Sequence, residues 1–178
     1  MPIVDYRNAD PAVAFPHALE ALQNTGFLKL PKYQEQQMRC NRLGADPLIV
    51  EFTQKVVKAC ARMVIPVFPH YMVRDFNEQA SLFARGDTWT NPATHPWPHR
   101  AFAVDIIHST LGYLDRPKIQ HGWEVIGHVA FNVSQTMGIK IRQGMDWNRN
   151  GDTTDERKFD GCHFELDDWR DRYAERFG

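Results

Sequence analysis

Apolar residues in this chain gather into two long helical stripes and several short extended runs, separated by polar loops that prolines punctuate. The first stripe follows Asp46-Pro47, where Asp suits an N-cap and Pro the first helical position. Ile49, Phe52, Val56, Val57 and Cys60 then share one face up to about Met63, the spacing of a helix buried along one side. The second stripe runs over residues 123–137, with Val125, Ile126, Val129, Phe131 and Val133, and Gly138 stops it. Extended runs are predicted at 64–73, 101–107, 139–141 and 162–166. Pro66 and Pro69 make the first of these an edge or irregular strand, since proline cannot donate to a ladder.

Weaker patterns fill the gaps. Residues 11–24 place Val13, Phe15, Leu19 and Leu22 at helical spacing, ending near Gly26. Residues 32–44 read as helix plus loop, and 77–85 as a short helix closed by Gly86. Residues 2–10 form an irregular or short extended lead-in. Polar loops are predicted at 87–100, which Pro92, Pro96 and Pro98 interrupt, and at 144–158. The order of elements predicts one α+β domain over 1–178, a small antiparallel sheet with packed helices, in which 1–45 is a helical N-terminal extension.

Composition narrows the function classes. At 178 residues and 43% hydrophobic, the chain can bury a core of its own. Its 21 Lys and Arg against 22 Asp and Glu leave no basic excess for nucleic acid. No apolar run is long enough to span a membrane, and polar residues 1–10 do not resemble a signal peptide. Cys40, Cys60 and Cys162 form no CxxC pair, which argues for reduced thiols and against a thiolate metal site.

Two segments carry candidate chemistry. Asp105 interrupts the apolar run Ala101-Phe-Ala-Val-Asp-Ile-Ile107, where an unpaired buried carboxylate would cost several kcal/mol. A divalent ion shared with His99 would lower that cost. Full extension would put the two about 20 Å apart, so the chain between them has to turn. In Asp160-Gly-Cys-His-Phe-Glu-Leu166, a strand would set His163 and Glu165 on one face and Cys162, Phe164 and Leu166 on the other. Two imidazoles and one carboxylate leave a fourth position on zinc for water. A nearby carboxylate outside the ligand set then serves as base, the role that fits Asp160.

These segments resemble the D-alanyl-D-alanine carboxypeptidase and L-alanyl-D-glutamate endopeptidase family, zinc peptidases that include many phage endolysins. Trp97-Pro-His-Arg-Ala-Phe-Ala-Val-Asp105 is similar to the family's Ser-x-His-x-x-Gly-x-Ala-x-Asp motif, and Asp160-Gly-Cys-His163 to its acidic-x-x-His motif. Gly144-Met-Asp-Trp147 is similar to a Gly-x-Asp-Trp segment of the endolysins, and Arg74 matches an upstream Arg that binds substrate or stabilises the oxyanion. The resemblance covers about residues 57–166 and implies the hedgehog/D-Ala-D-Ala metallopeptidase fold. It implies Zn2+ on His99, Asp105 and His163, with Asp160 and Arg74 catalytic. One residue is missing between His99 and Asp105 relative to the family spacing, so His95 stands as the alternative ligand.

The implied activity is cleavage of L-Ala–D-Glu bonds in peptidoglycan stem peptides by a monomer. It would be made in the host cytoplasm without a signal peptide and reach the wall as a phage lysin or virion component. A D-alanyl-D-alanine carboxypeptidase on the same scaffold is the rival specificity, and a non-catalytic wall-binding or structural virion protein the rival class. Independently, Asp146, Asn148, Asn150 and Asp152, with Gly151 sixth, resemble the first half of a Ca2+ loop, although Arg157 stands where a twelfth-position Glu belongs. A solvated turn is the other reading of that stretch. His108, three residues past Asp105, is a candidate to orient a ligand.

Overall fold

Alternation of inward and outward side chains on four short strands sets the geometry of the whole chain. In a computed structural model describing residues 4–178, β1 (Val67–Tyr71), β2 (Ala103–His108), β3 (Ile141–Gly144) and β4 (Asp160–Leu166) form one antiparallel sheet in the order β1-β2-β4-β3. β1 lies at an edge and its register shifts between Pro69 and Tyr71, as its prolines predict. Val104, Ile106, Phe164 and Leu166 are buried in the core together with Phe52, Val56, Ile126 and Val129. Those last four belong to α5 (Pro47–Arg62) and α7 (Gly122–Met137), which pack on each other and on the strands. Asp46 caps α5 through its carboxylate, which accepts from the Leu48 N–H at 2.9 Å.

The N-terminal segment is more broken than its pattern predicts. Residues 11–24 hold two helices, α1 (Pro11–Ala14) and α2 (Pro16–Leu22), because Pro16 keeps Phe15 out of helical backbone. Val13 is consequently solvent-exposed at 80%, not part of the core, whereas Phe15 and Leu22 are buried. α3 (Thr25–Leu28) and α4 (Pro31–Gln37) follow. Residues 4–10 are irregular, and Pro2 and Ile3 of the expected lead-in lie outside the described residues. Tyr6, Phe15, Ala18, Leu22 and Cys40 join the same core as the sheet.

α6 (Phe76–Arg85) ends on left-handed Gly86, as its sequence indicates. The third strand lies further along than 139–141. The sequence pattern predicts neither α3 nor α8 (Trp169–Phe177), although Trp169, Tyr173 and Phe177 recur every fourth residue in the latter. Tyr173 packs beside Trp97 and Phe177 beside Phe102, so α8 braces the chain leading into β2.

Gly161 ties the core to the far side of the sheet. A methyl built on it would overlap the Trp123 indole, and a buried ring cannot swing aside freely. Gly161→Ala should destabilise the protein by about 1–3 kcal/mol in urea unfolding, the usual cost of overpacking. An unchanged midpoint would show that β4 and α7 are not packed as described.

Candidate active site and metal centre

The sheet face turned away from α5 and α7 carries the polar side chains. Asp105 and His163 sit directly opposite each other in the β2–β4 ladder, and Ala103 opposes Glu165. Alternation therefore brings Asp105, His163 and Glu165 onto one face. His99 arrives by a different device. A single 3-10 turn, Pro98–Arg100, folds the chain back before β2, which supplies the required bend. The segment after β1 clamps that turn: the Arg74 N–H donates to the His99 carbonyl at 2.8 Å, and the Trp97 indole N–H donates to the Arg74 carbonyl at 3.2 Å.

Three donor atoms converge as a result. His99 Nε2 lies 3.0 Å from Asp105 Oδ1 and 3.2 Å from His163 Nδ1, and His163 Nδ1 lies 3.1 Å from Asp105 Oδ1. Zinc bonds of about 2.0–2.1 Å at tetrahedral angles would set donors roughly 3.3 Å apart, so the triangle has the size of a zinc face. All three side chains are buried, at 4–6% exposure. Among the described residues this is the one group of three or more His, Cys, Asp or Glu able to share an ion. The missing residue between His99 and Asp105 does not displace His99. His95 is exposed and bonded to its neighbour Thr94 instead.

Each donor has an outer partner that fixes its lone pair. His99 Nδ1 lies 3.0 Å from the Met72 carbonyl, which can only accept, so Nδ1 carries the proton and Nε2 is free to ligate. His163 Nε2 lies 3.0 Å from the Glu165 carboxylate, which would hold a proton on Nε2 when an ion takes the place of the proton on Nδ1. Glu165 in turn accepts from Arg142 Nε at 2.8 Å and from the Trp169 indole at 3.0 Å. Arg74 Nη2 holds Asp105 Oδ2 at 2.5 Å. Glu165 belongs to neither family motif, and its contact with His163 follows from their alternation on β4.

Electrostatics follow from these pairs. Burial would raise the Asp105 pKa, but His99, His163 and Arg74 outweigh it and hold the carboxyl well below its usual range. Burial likewise opposes charge on His163, yet Asp105 and Glu165 draw its pKa up to about 10. Glu165, despite burial, is held down at about 2 by His163 and Arg142. Burial lowers the His99 pKa. The cluster is an acidic frame around two imidazoles, a donor set that suits a divalent cation.

The triad lies in a cleft of about 790 Å³, which Arg74, Asp160, Trp147 and Trp89 also line. The Trp147 ring packs 5.6 Å from that of His163. Asp160 opens β4 and accepts from the Cys162 thiol at 3.2 Å. Arg74, expected to reach for substrate, has its charge matched by Asp105 and its face laid 4.6 Å over Tyr71. His108 has no part here. It points to the opposite side of the sheet and bonds the Leu22 carbonyl at 2.8 Å, tying α2 to β2.

The 146–152 loop winds around Gly151, whose φ of 83° only glycine adopts without strain. The Gly151 N–H donates to Asp146 Oδ2 at 3.1 Å, the Asn150 N–H to Asn148 Oδ1 at 3.0 Å, and the Asp152 N–H to Asn150 Oδ1 at 2.7 Å. Asp146 Oδ1 is buried without a partner.

If Glu165 sets the ligating state of His163, Glu165→Gln should weaken metal binding by about tenfold or more in chelator competition. Affinity equal to the parent protein's would remove Glu165 from the metal centre.

Comparison with known proteins bears on the same residues. No curated protein matches the chain. Among solved structures it is similar to the Serratia marcescens L-Ala D-Glu endopeptidase ChiX, with 19% identity over 86% of this chain and 96% of that one and a TM-score of 0.52, a likeness of fold. The sequence model of the phage L-alanyl-D-glutamate peptidases matches residues 52–167, a span holding every residue of the triad and both of its acidic neighbours. The chain therefore belongs to the phage L-alanyl-D-glutamate peptidase family.

Proposed function

We propose that this chain is a zinc-dependent endopeptidase that hydrolyses the L-Ala–D-Glu bond of peptidoglycan stem peptides. The observation that carries the reading is the triangle of His99 Nε2, Asp105 Oδ1 and His163 Nδ1 with sides of 3.0–3.2 Å, set in the cleft. His99, Asp105 and His163 would hold a divalent ion, zinc by the chemistry of two imidazoles and one carboxylate, and when bound it would supply Lewis acidity to water and to the scissile carbonyl.

The chain's own groups do the rest. Asp160 takes the proton from the attacking water and returns it to the leaving amine nitrogen. Among the described residues its side chain accepts only from the Cys162 thiol, a weak donor, so its second oxygen is unengaged and faces the cleft lining. Arg74 keeps Asp105 ionised and adds positive charge beside the carbonyl oxygen that becomes an oxyanion. Trp147 covers His163 on the cleft side and limits water there.

The 146–152 loop is read as a Ca2+ site that orders the approach to β4. Its support is the buried, partnerless Asp146 Oδ1 together with the Gly151 N–H on the other oxygen, the first-to-sixth contact expected of a calcium loop.

Three outcomes test this reading. Incubation with purified peptidoglycan should expose new D-Glu amino termini; release of free D-Ala would indicate the carboxypeptidase instead, and no cleavage the non-catalytic binder. Asp160→Asn should keep its metal and lose about 10²–10⁴-fold in kcat, and near-parental turnover would assign the base elsewhere. Calcium titration should change Trp147 fluorescence saturably, in a way that Asn150→Ala weakens. A flat titration would leave the loop as a hydrogen-bonded turn.

A further inference from the structure

Four arginines line the cleft, and three of them are neutralised from within the protein. Arg74 pairs with Asp105 at 2.5 Å, Arg85 with Asp87 at 2.9 Å, and Arg142 with Glu165, its Nε at 2.8 Å. Arg170 is the exception: no carboxylate among the described residues lies within ion-pair distance of it. Its guanidinium instead sits 4.4 Å from the centre of the Trp169 ring. Trp169 is buried and donates its indole N–H to Glu165, the same carboxylate that holds His163. Arg170 is therefore stacked on a fixed indole, three contacts away from a candidate ligand of the metal. Stacking of this kind restrains an arginine that would otherwise sweep through solvent.

An acidic ligand entering this cleft has one uncommitted guanidinium to meet. Arg74 is a poor alternative, because drawing it from Asp105 would leave a buried carboxylate without its counter-charge. The stem peptide has the matching group. D-Glu is joined to the following residue through its γ-carboxyl, so its α-carboxylate stays free on the leaving side of the L-Ala–D-Glu bond.

We propose that Arg170 binds the α-carboxylate of the D-glutamyl residue and so makes the enzyme select stems in which that group is ionised. The inference rests on the endopeptidase reading and adds to it a specificity element. It falls outside the segment matched by the family, which ends at residue 167, and belongs to α8 of this chain. Guanidinium and carboxylate meet through two parallel N–H···O bonds, a geometry that an amide in the same place cannot satisfy as well.

The test compares two soluble peptides with the zinc-loaded full chain: L-Ala-γ-D-Glu-L-Lys-D-Ala, and the same peptide with the D-Glu α-carboxylate amidated. The parent protein should prefer the acid stem in kcat/KM by roughly 10- to 100-fold, the scale of one hydrogen bond to a charged group. In Arg170→Ala that preference should collapse towards unity, chiefly through KM, while Arg170→Lys keeps part of it. A merely structural role for Arg170 would lower both rates together and leave the ratio unchanged, which would overturn the proposal. A parent protein that cuts both stems equally well would overturn it too, with the endopeptidase reading intact. Failure to cut either stem would overturn both.

Discussion

Pairing of buried charge across β2 and β4 is the constraint on which the site depends. Asp105, His163 and Glu165 lie on one sheet face with 6% exposure or less, where isolated charges would cost several kcal/mol each. The structure meets that cost by alternation of sign: Arg74, Asp105, His163, Glu165 and Arg142 form a continuous row in which every group touches one of opposite charge. Removing one member exposes its neighbours to an uncompensated burial penalty. The row thus restrains its members together, with the donor atoms of His99 and His163 3.0–3.1 Å from Asp105 Oδ1.

Support for that row comes from elements with no chemistry of their own. The 3-10 turn carrying His99 is held by backbone bonds to the segment after β1 and braced by α8 through Tyr173 and Phe177. On the other face, α5 and α7 supply the apolar layer that lets a four-stranded sheet exist without a second sheet. His108 links the N-terminal helices to the same strand that bears Asp105. Residues 4–45 are in this sense part of the scaffold and not a separate appendage.

Much of this was legible in the chain. Period-two alternation placed His163 with Glu165, the 3.6-residue stripes placed α5 and α7, and Asp105 stood out as a charge within an apolar run. The family-like motifs at 97–105 and 160–163 single out His99, Asp105, Asp160 and His163, four residues that line one cleft. What could not be read were relations fixed by tertiary packing. The pairing of Arg74 with Asp105 depends on the register of β1 against β2. The proline break at Phe15 exposed Val13 despite its helical spacing. The use of Glu165 as a brace for His163 required both to be buried on the same side. α8 lies beyond the last motif, and its Trp169, Tyr173 and Phe177 find partners only in the folded chain, at Trp97 and Phe102.

The central claim is that three side chains from two distant stretches share one ion. Diffraction from crystals of the zinc-loaded protein, recorded at the zinc absorption edge, tests it most directly. The account predicts a single strong anomalous peak in the cleft, about 2.0–2.2 Å from His99 Nε2, Asp105 Oδ1 and His163 Nδ1. A peak on other residues, or none at the triad in protein that cleaves its substrate, would contradict it.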